Sequence, residues 1–461
     1  MDDFQTLLAP GRRVHLIGIG GVSMCALAEV LSERGMAVTG SDMAESAATR
    51  HLRELGIPVH IGHLPDNVGD AELCIRTAAV HDDNPEVAAL RARGIPLFAR
   101  AQAWGAIMRD CRAAVCFSGT HGKTTSTSMM THAAMAADLD PTVMIGGTLP
   151  LLGAGHRVGG GGLMVMEACE YCNSFLQFFP TIAVILNVEA DHLDFFRDLD
   201  DVVASFRQFA LRTPADEGTV IYNLDDAGAC RVAGDMPRRL CSFGLHESAD
   251  VRATNLTEAR GLYAFDVSVF GESYAHIALR VPGRHNVCNA LAVCACSALL
   301  GIPGETTAAG LADFTGAARR FERKGEYRGA QVVDDYAHHP TEIAATLKTA
   351  LSMGYERVIC AFQPHTYSRT AALFEDLAEA LKLADRAFVC EIYAAREQNT
   401  TGLSARTLAE AVPGSVFCPT LEEMAERLAA EARPGDLILT MGAGNIYTVG
   451  QRLLERAADP V

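Results

Sequence analysis

"SGTHGKTT" occupies residues 118–125, between the apolar run "RAAVCF" and the helix-forming stretch "STSMMTHAAMAADL". A strand, a glycine-bearing loop and a helix in that order form the context of a phosphate-binding loop. Backbone N–H groups at the helix N-terminus attract anionic oxygens. In the usual nucleoside-triphosphate form, G-x-x-x-x-G-K-[ST], the first glycine stands about five residues before the second. That place is held here by Phe117, and Gly119 comes two residues late. Lys123 would set its charge against the β- and γ-phosphates, and Thr124 would offer its hydroxyl to Mg2+. Gly119, Thr120, His121, Gly122, Lys123, Thr124 and Thr125 therefore read as a shortened ATP loop, the alternative being a chance Gly-Lys-Thr at the surface.

The rest of the chain is organised around similar units. Its 461 residues are 49% hydrophobic and 21% charged, enough apolar material for about three ordinary domains. A net charge of −17 argues against nucleic acid, whose binding rests on basic patches. The opening "MDDFQTLLAPGRR" has no cationic segment leading into an apolar one, and no apolar run approaches membrane-spanning length. A protein of the cytoplasm without a membrane partner is expected. Among the 14 cysteines, Cys169 and Cys172 make a C-x-x-C, but no second pair or histidine pair follows at zinc spacing, so reduced thiols are expected.

Strand and helix patterns alternate throughout. "RVHLIGIGG", "AVTGSD", "LCIRTAAV" and "IPLFAR" read as strands of a first α/β unit. A second holds the loop strand with "LMVMEA", "TIAVILNV", "GTVIYNLDD" and "RLCSFG", a glycine-rich "GAGHRVGGGG", short strands over 249–281 and the helix "HNVCNALAVCACSALLG". After "ARRFERKGEYRG", a third unit alternates "AQVVDDYAHHP", "EIAATLKTALSM", "RVICAF", "AALFEDLAEALKLA", "RAFVCEI" and "DLILTMGAGN". The expectation is three α/β domains in series, over 1–110, 111–317 and 318–461.

Polar clusters stand at the strand ends, where α/β folds bind ligands. In "GIGGVSM", Gly18, Gly20 and Gly21 form a turn, and Asp42 ends the next strand where a ribose partner would sit. The third glycine of the dinucleotide fingerprint is Ser23, leaving NAD(P), another nucleotide diphosphate or plain turn chemistry open. Glu167 and Glu170 in "MEACEYCNSF", with Asp191, His192 and Asp194 in "NVEADHLDFF", suit Mg2+ or are solvated loop acids. Asn286 and Asn289 could read an adenine edge or cap a helix. "DDYAHHPTEI", "FQPHTYSRT" and "TMGAGNI" carry Tyr336, His338, His365 and Arg369, and three such clusters in one domain imply a single site.

In the order "GTHGKTT", two glutamates, "DH", "HN…N", "RRF", "DDYAHHPTE", "FQPH…R" and "GAGN", the chain resembles the Mur ligase family over nearly its whole length. The resemblance implies an N-terminal Rossmann-like domain for the UDP part of the substrate, a central P-loop-type ATPase and a C-terminal Rossmann-like domain closing over ATP and the amino acid. It also implies an ATP-dependent C–N ligase of peptidoglycan precursor synthesis. On that resemblance, UDP-N-acetylmuramate would be activated through an acyl phosphate and L-alanine would accept the acyl group. Carried over, Lys123, Glu170, His192, His338 and Arg369 are catalytic, and Thr124, Glu170 and His192 face Mg2+, with Glu167 beside them. Residues 119–125, Asn286, Asn289 and Arg320 would hold ATP. Gly18, Gly20, Gly21, Asp42, Tyr336, His365 and Arg369 would hold the substrates. Two places depart from the family pattern: "EACEYC" replaces the commoner "EADESD", and Thr366 stands where an arginine is common. The alternatives are the family's peptide-recycling ligase, a nicotinamide dehydrogenase and a P-loop ATPase that ligates nothing.

Overall fold

A computed structural model describes residues 2–193, 195–395, 397–400 and 402–458; Asp194, one of the candidate acids, lies outside them. The chain divides into two compact units. One comprises Met1–Glu189, Val203–Ser242 and Ala295–Ile302; the other comprises Ala190–Val202, Phe243–Cys294 and Pro303–Val461.

In the first unit, Arg13–Ile17 is the middle strand of a five-stranded parallel sheet, flanked by Ala37–Asp42 and Leu73–Arg76, with Val59–Ile61 and Leu97–Ala99 at the edges. A strand covered on both faces reads as a continuous apolar run, and Val14, Leu16 and Ile17 are all buried. Six further strands run in the order Thr219–Asn223, Ile182–Ile185, Ala113–Ser118, Leu163–Glu167, Thr142–Leu149 and Ala154–Arg157. All are parallel except the last, which closes an antiparallel pair inside the stretch read as merely glycine-rich. Its sequence, "AGHR", lacks the β-branched and aromatic residues by which strands are found.

The second unit holds an antiparallel meander, Val251–Ala259, Leu262–Val269 and Glu272–Ala278, where alternation predicted short strands. It also holds a six-stranded sheet in the order Glu322–Tyr327, Ala330–Asp335, Asp436–Met441, Arg357–Phe362, Arg386–Cys390 and Val416–Cys418. Alternate residues of its strands feed two cores: Val333 and Leu439 pack with Ile343, Leu347 and Leu377 on one face. Val332 and Ile438 pack with Met424, Leu428 and Val449 on the other. Two stretches gain detail from the fold. "ERKGEY", which pattern alone assigns to no element of its own, is the antiparallel edge strand; its charge suits an exposed edge. "AALFEDLAEALKLA" is split, since Leu373 (φ −113°) ends Tyr367–Ala372 before Phe374–Leu381 begins.

Register explains why three polar clusters share one end of this sheet. Asp335 pairs with Met441, and Met441 pairs with Phe362. The segments after them therefore leave from one row, tied by Gly442 N–H to Asp335 O (3.1 Å) and Gln363 N–H to Met441 O (3.0 Å). No described helix is long and apolar enough to cross a membrane.

Candidate active site

Within the first unit the loop is a tight clamp between two strand ends. Ser118 ends its strand with its hydroxyl donated to Val184 O (2.7 Å). Gly119 follows at φ 151°, where a Cβ would come within 2.9 Å of Leu186 Cβ. Asn187 grips the next two residues: its carbonyl accepts Thr120 N–H (3.1 Å), its Oδ1 accepts His121 N–H (2.7 Å), and its Nδ2 donates to His121 O (3.1 Å). Thr120 Oγ1 accepts Glu189 N–H (2.9 Å). Gly122, left-handed at φ 83°, then starts the helix Lys123–Ala136, with Thr125 half-buried in its first turn.

Lys123 folds back over this loop. Its ammonium donates to the carbonyls of Gly119 and Thr120 and lies 3.0 Å from Glu170 Oε2. Burial alone would weaken its charge, but Glu170, with Glu167 beyond it, holds its pKa above the ordinary lysine value. Beside it Glu167 Oε2 accepts both the Thr124 hydroxyl (2.9 Å) and Gly146 N–H (2.8 Å). Lys123, Thr124, Glu167 and Glu170 are thus brought together, and Glu170 is 2% exposed, not a solvated loop acid. Hydroxyl and carboxylate oxygens are the hard donors that Mg2+ selects.

The turn at Gly18 to Gly21 closes on itself. Asp42 Oδ2 accepts Gly20 N–H at 2.8 Å, and a Cβ on Gly18 would meet Thr77 Cγ2 at 2.5 Å. Ser23, where the dinucleotide fingerprint has its last glycine, accepts the indole N–H of Trp104 (3.0 Å). Cys169 and Cys172 are free thiols, both exposed.

In the second unit, Asp191 is 9% exposed and receives Arg369 Nη2 (2.9 Å) and the N–H of His192 (2.7 Å). Burial would raise its pKa, yet the charges of Arg369 and His192 hold it well below the usual carboxylate range. His192 itself is left-handed (φ 53°), and its Nδ1 lies 3.4 Å from Arg369 Nη2. An aromatic file runs from Tyr336 to His338, His365 and Tyr393, with successive centroids 5.4, 5.9 and 5.7 Å apart. Burial lowers the pKa of His338 to about 4 against the pull of Glu342, and burial with the charge of Arg369 lowers that of His365. Both imidazoles are therefore neutral at physiological pH. His365 Nδ1 and Gln363 Oε1 are buried with no hydrogen-bond partner among the described residues.

Three groups here escaped sequence reasoning. Asn187, which grips the loop, had only its place at a strand end as a signal. Arg319 joins Asp334 (3.0 Å), Gly442 O (2.6 Å) and the faces of Tyr336 and Tyr447. Arg320, the arginine that was singled out, lies over Tyr336, 5.2 Å from its centroid, and its charge acts on Asp335. Tyr393 reaches the site through a chain pairing with His365. Asn286 donates to Pro282 O (2.7 Å) and receives Asn289 Nδ2 (2.9 Å), so the two asparagines are linked to each other through their amides.

The class follows from comparison with known proteins. Residues 13–112 match the model of the Mur ligase family catalytic domain, 117–297 that of the Mur ligase middle domain, and 319–444 that of the Mur ligase glutamate ligase domain. The chain belongs to the Mur ligase family and has its three-domain α/β fold. Among individual members it is 44% identical, over 98% of this chain and 99% of the relative, to the UDP-N-acetylmuramate–L-alanine ligase of Clostridium novyi (strain NT). It is 43% identical to the ligase of the same name from Caldanaerobacter subterraneus subsp. tengcongensis, over 96% of this chain and 97% of the relative. The crystal structure of UDP-N-acetylmuramate–alanine ligase from Thermotoga maritima superposes with a TM-score of 0.79 at 30% identity, covering 96% of this chain and 98% of that one. A murein peptide ligase from Psychrobacter arcticus shares the fold (TM-score 0.71, 24% identity, 98% and 100% covered).

Proposed function

We propose that this chain joins L-alanine to the carboxylate of UDP-N-acetylmuramate at the expense of ATP, in domains spanning 1–110, 111–317 and 318–461. The observation that carries the reading is Lys123, held over a glycine loop by Glu170 with Thr124 and Glu167 beside it. Substrate identity is supported by relatives of that name at 44% and 43% identity along almost the whole chain. A carboxylate cannot expel oxide, so its oxygen must first bond to the γ-phosphorus, breaking the bond to ADP. The alanine nitrogen then bonds to the acyl carbon, the bond from that carbon to the phosphate oxygen breaks, phosphate leaves with the electron pair, and the nitrogen gives up a proton to solvent.

Two anions must approach for the first step, and charge neutralisation is the main demand on the protein. Lys123 meets it by exchanging the loop carbonyls for phosphate oxygens. Thr120, His121 and Gly122 keep the loop in shape, and Thr124, Glu170 and Glu167 are the oxygen donors suited to Mg2+. That ion, when bound, offsets phosphate charge and orients the transferred group. His192, proposed on the metal side, is kept in place by Asp191 and Arg369. The orphaned Gln363 Oε1 and His365 Nδ1 support substrate contact on the second unit, with Tyr336, His338 and Arg369 beside them. Arg320, Asn286 and Asn289 are assigned to ATP, and Gly18, Gly20, Gly21 and Asp42 to the UDP-sugar.

ADP release is measured with UDP-N-acetylmuramate, ATP and Mg2+ against a panel of amino acids and L-alanyl peptides. Release that requires both UDP-N-acetylmuramate and L-alanine is expected. Preference for a tripeptide would instead assign the chain to peptide recycling, and release with neither substrate would remove the ligase reading.

A further inference from the structure

A second cluster of ligand-type side chains lies in the first unit, made of side chains to which the proposed reaction gives no role. The helix Val22–Glu33 places Cys25 and Glu29 one turn apart on one face. Glu29 Oε1 receives three groups: His156 Nε2 at 2.9 Å, His51 Nε2 at 3.1 Å and Cys25 Sγ at 3.6 Å. The ligating atoms of Cys25, Glu29 and His156 all lie within 4.8 Å of one another. His156 comes from the strand Ala154–Arg157 and His51 from the helix Ala47–Glu54, so the donors converge from three separate elements.

The separations from the Glu29 oxygen are close to the corresponding edges of a tetrahedron around a zinc-sized ion. With bonds of about 2.0 Å to oxygen, 2.05 Å to nitrogen and 2.3 Å to sulfur, the oxygen–nitrogen edge is about 3.3 Å and the oxygen–sulfur edge about 3.5 Å. The oxygen–sulfur separation here is 3.6 Å, and the oxygen–nitrogen separations are 2.9 and 3.1 Å. The remaining edge, between Cys25 and His156, lies within 4.8 Å and would close to about 3.6 Å around the ion.

We propose that Cys25, Glu29 and His156 form a zinc site that ties the helix after the first glycine turn to the strand carrying His156, with the fourth position taken by solvent. Binding forms the sulfur–zinc bond and releases the Cys25 proton to solvent. Without a metal, burial and then the charge of Glu29 push the thiol up to about 12, so it is protonated at neutral pH. A bound dication reverses that balance and deprotonates a coordinating thiol outright. The mixed sulfur, nitrogen and oxygen donor set selects zinc over Mg2+, which prefers oxygen alone.

The test uses the full-length protein in a phosphine reductant with excess Mg2+, titrated with Co2+ as the spectroscopic stand-in for zinc. One equivalent should give a thiolate-to-cobalt charge-transfer band, and stoichiometric Zn2+ should abolish it. Cys25→Ser should remove the band, and His156→Gln should weaken cobalt binding about tenfold or more. Absence of the band in the parent protein overturns the proposal. So does its persistence in Cys25→Ser, which would put the metal on other thiols such as Cys169 and Cys172. Should Cys25→Ser fail to fold, parent-like affinity in His156→Gln overturns it alone.

Discussion

Replacing Lys123 with Met separates its structural role from its chemical one. The side chain gives up two loop carbonyls and both oxygens of Glu170, which lie at 3.2 and 3.0 Å. Glu170 is 2% exposed, so its carboxylate is left buried without the ammonium. Breaking a buried pair by removing one member costs about 3–5 kcal/mol, most of it the burial of the remaining charge. For a body of this size that corresponds to a fall in Tm of about 6–20 °C. Because the folded pKa of Lys123 is raised, the pair's contribution is fully present below the ordinary lysine value and is lost only as pH rises through the raised one. Thermal or denaturant unfolding at pH 7.5, about three units below the ordinary lysine pKa, therefore reads the whole effect. Adding Glu170→Gln removes the stranded charge and should recover most of the stability. Turnover, down by about 10²–10³-fold or more for loss of a preorganised cation, should not return with it. A single variant as stable as the parent, or a double variant no more stable than the single, would refute the buried-pair argument. Parent-like turnover in either would refute the assignment of the loop.

Two further outcomes concern the second unit. Arg369→Ala removes a charge-assisted hydrogen bond to Asp191 and should cost about 1.5–3 kcal/mol at neutral pH together with a large loss of turnover. Since the Asp191 pKa is depressed, unfolding curves of variant and parent should converge as pH falls below the ordinary carboxylate value of about 3.9. Asp335 behaves oppositely: burial, outweighing the nearby charge of Arg320, raises its carboxyl to about 6. The folded state therefore keeps a proton that the unfolded chain loses, and stability should fall by up to about 3 kcal/mol as pH rises from 4 to 6. Asp335→Asn should flatten that slope in denaturant unfolding; an unchanged slope would exclude Asp335 as its source.

What the sequence made legible were groups fixed by short-range pattern. Parallel strands end in polar residues because ligands sit there, and one register row, Asp335–Met441–Phe362, gathers three such ends. Gly122–Lys123–Thr124 was visible for the same reason. What stayed hidden depends on tertiary partners. Asn187 differs from any strand-end asparagine only because Thr120 and His121 lie against it. Of two adjacent arginines, only the fold shows that Arg319 reaches Asp334 and Gly442 O while Arg320 rests on Tyr336. The edge strand "ERKGEY" and the hairpin strand "AGHR" are polar, and apolar periodicity cannot register them.

The position that a standard loop gives to its first glycine shows how the fold absorbs a departure. Phe117 is fully buried and paired with Val184 on one side and Glu167 on the other, so glycine there would open the core. The same pairing sets the strand end of Glu167 beside the loop, where it meets Thr124. Asn187, rather than an early glycine, makes the turn tight, and it does so by taking the N–H groups of Thr120 and His121. Those two donors are then committed to the protein. The donors that the helix start presents are those of Gly122, Lys123, Thr124 and Thr125. A loop with fewer backbone donors depends more heavily on its one ammonium. Removing that ammonium should therefore cost this chain more turnover than removing any single backbone contact, and Asn187→Ala, which frees His121 N–H but loosens the turn, should keep measurable activity where Lys123→Met does not.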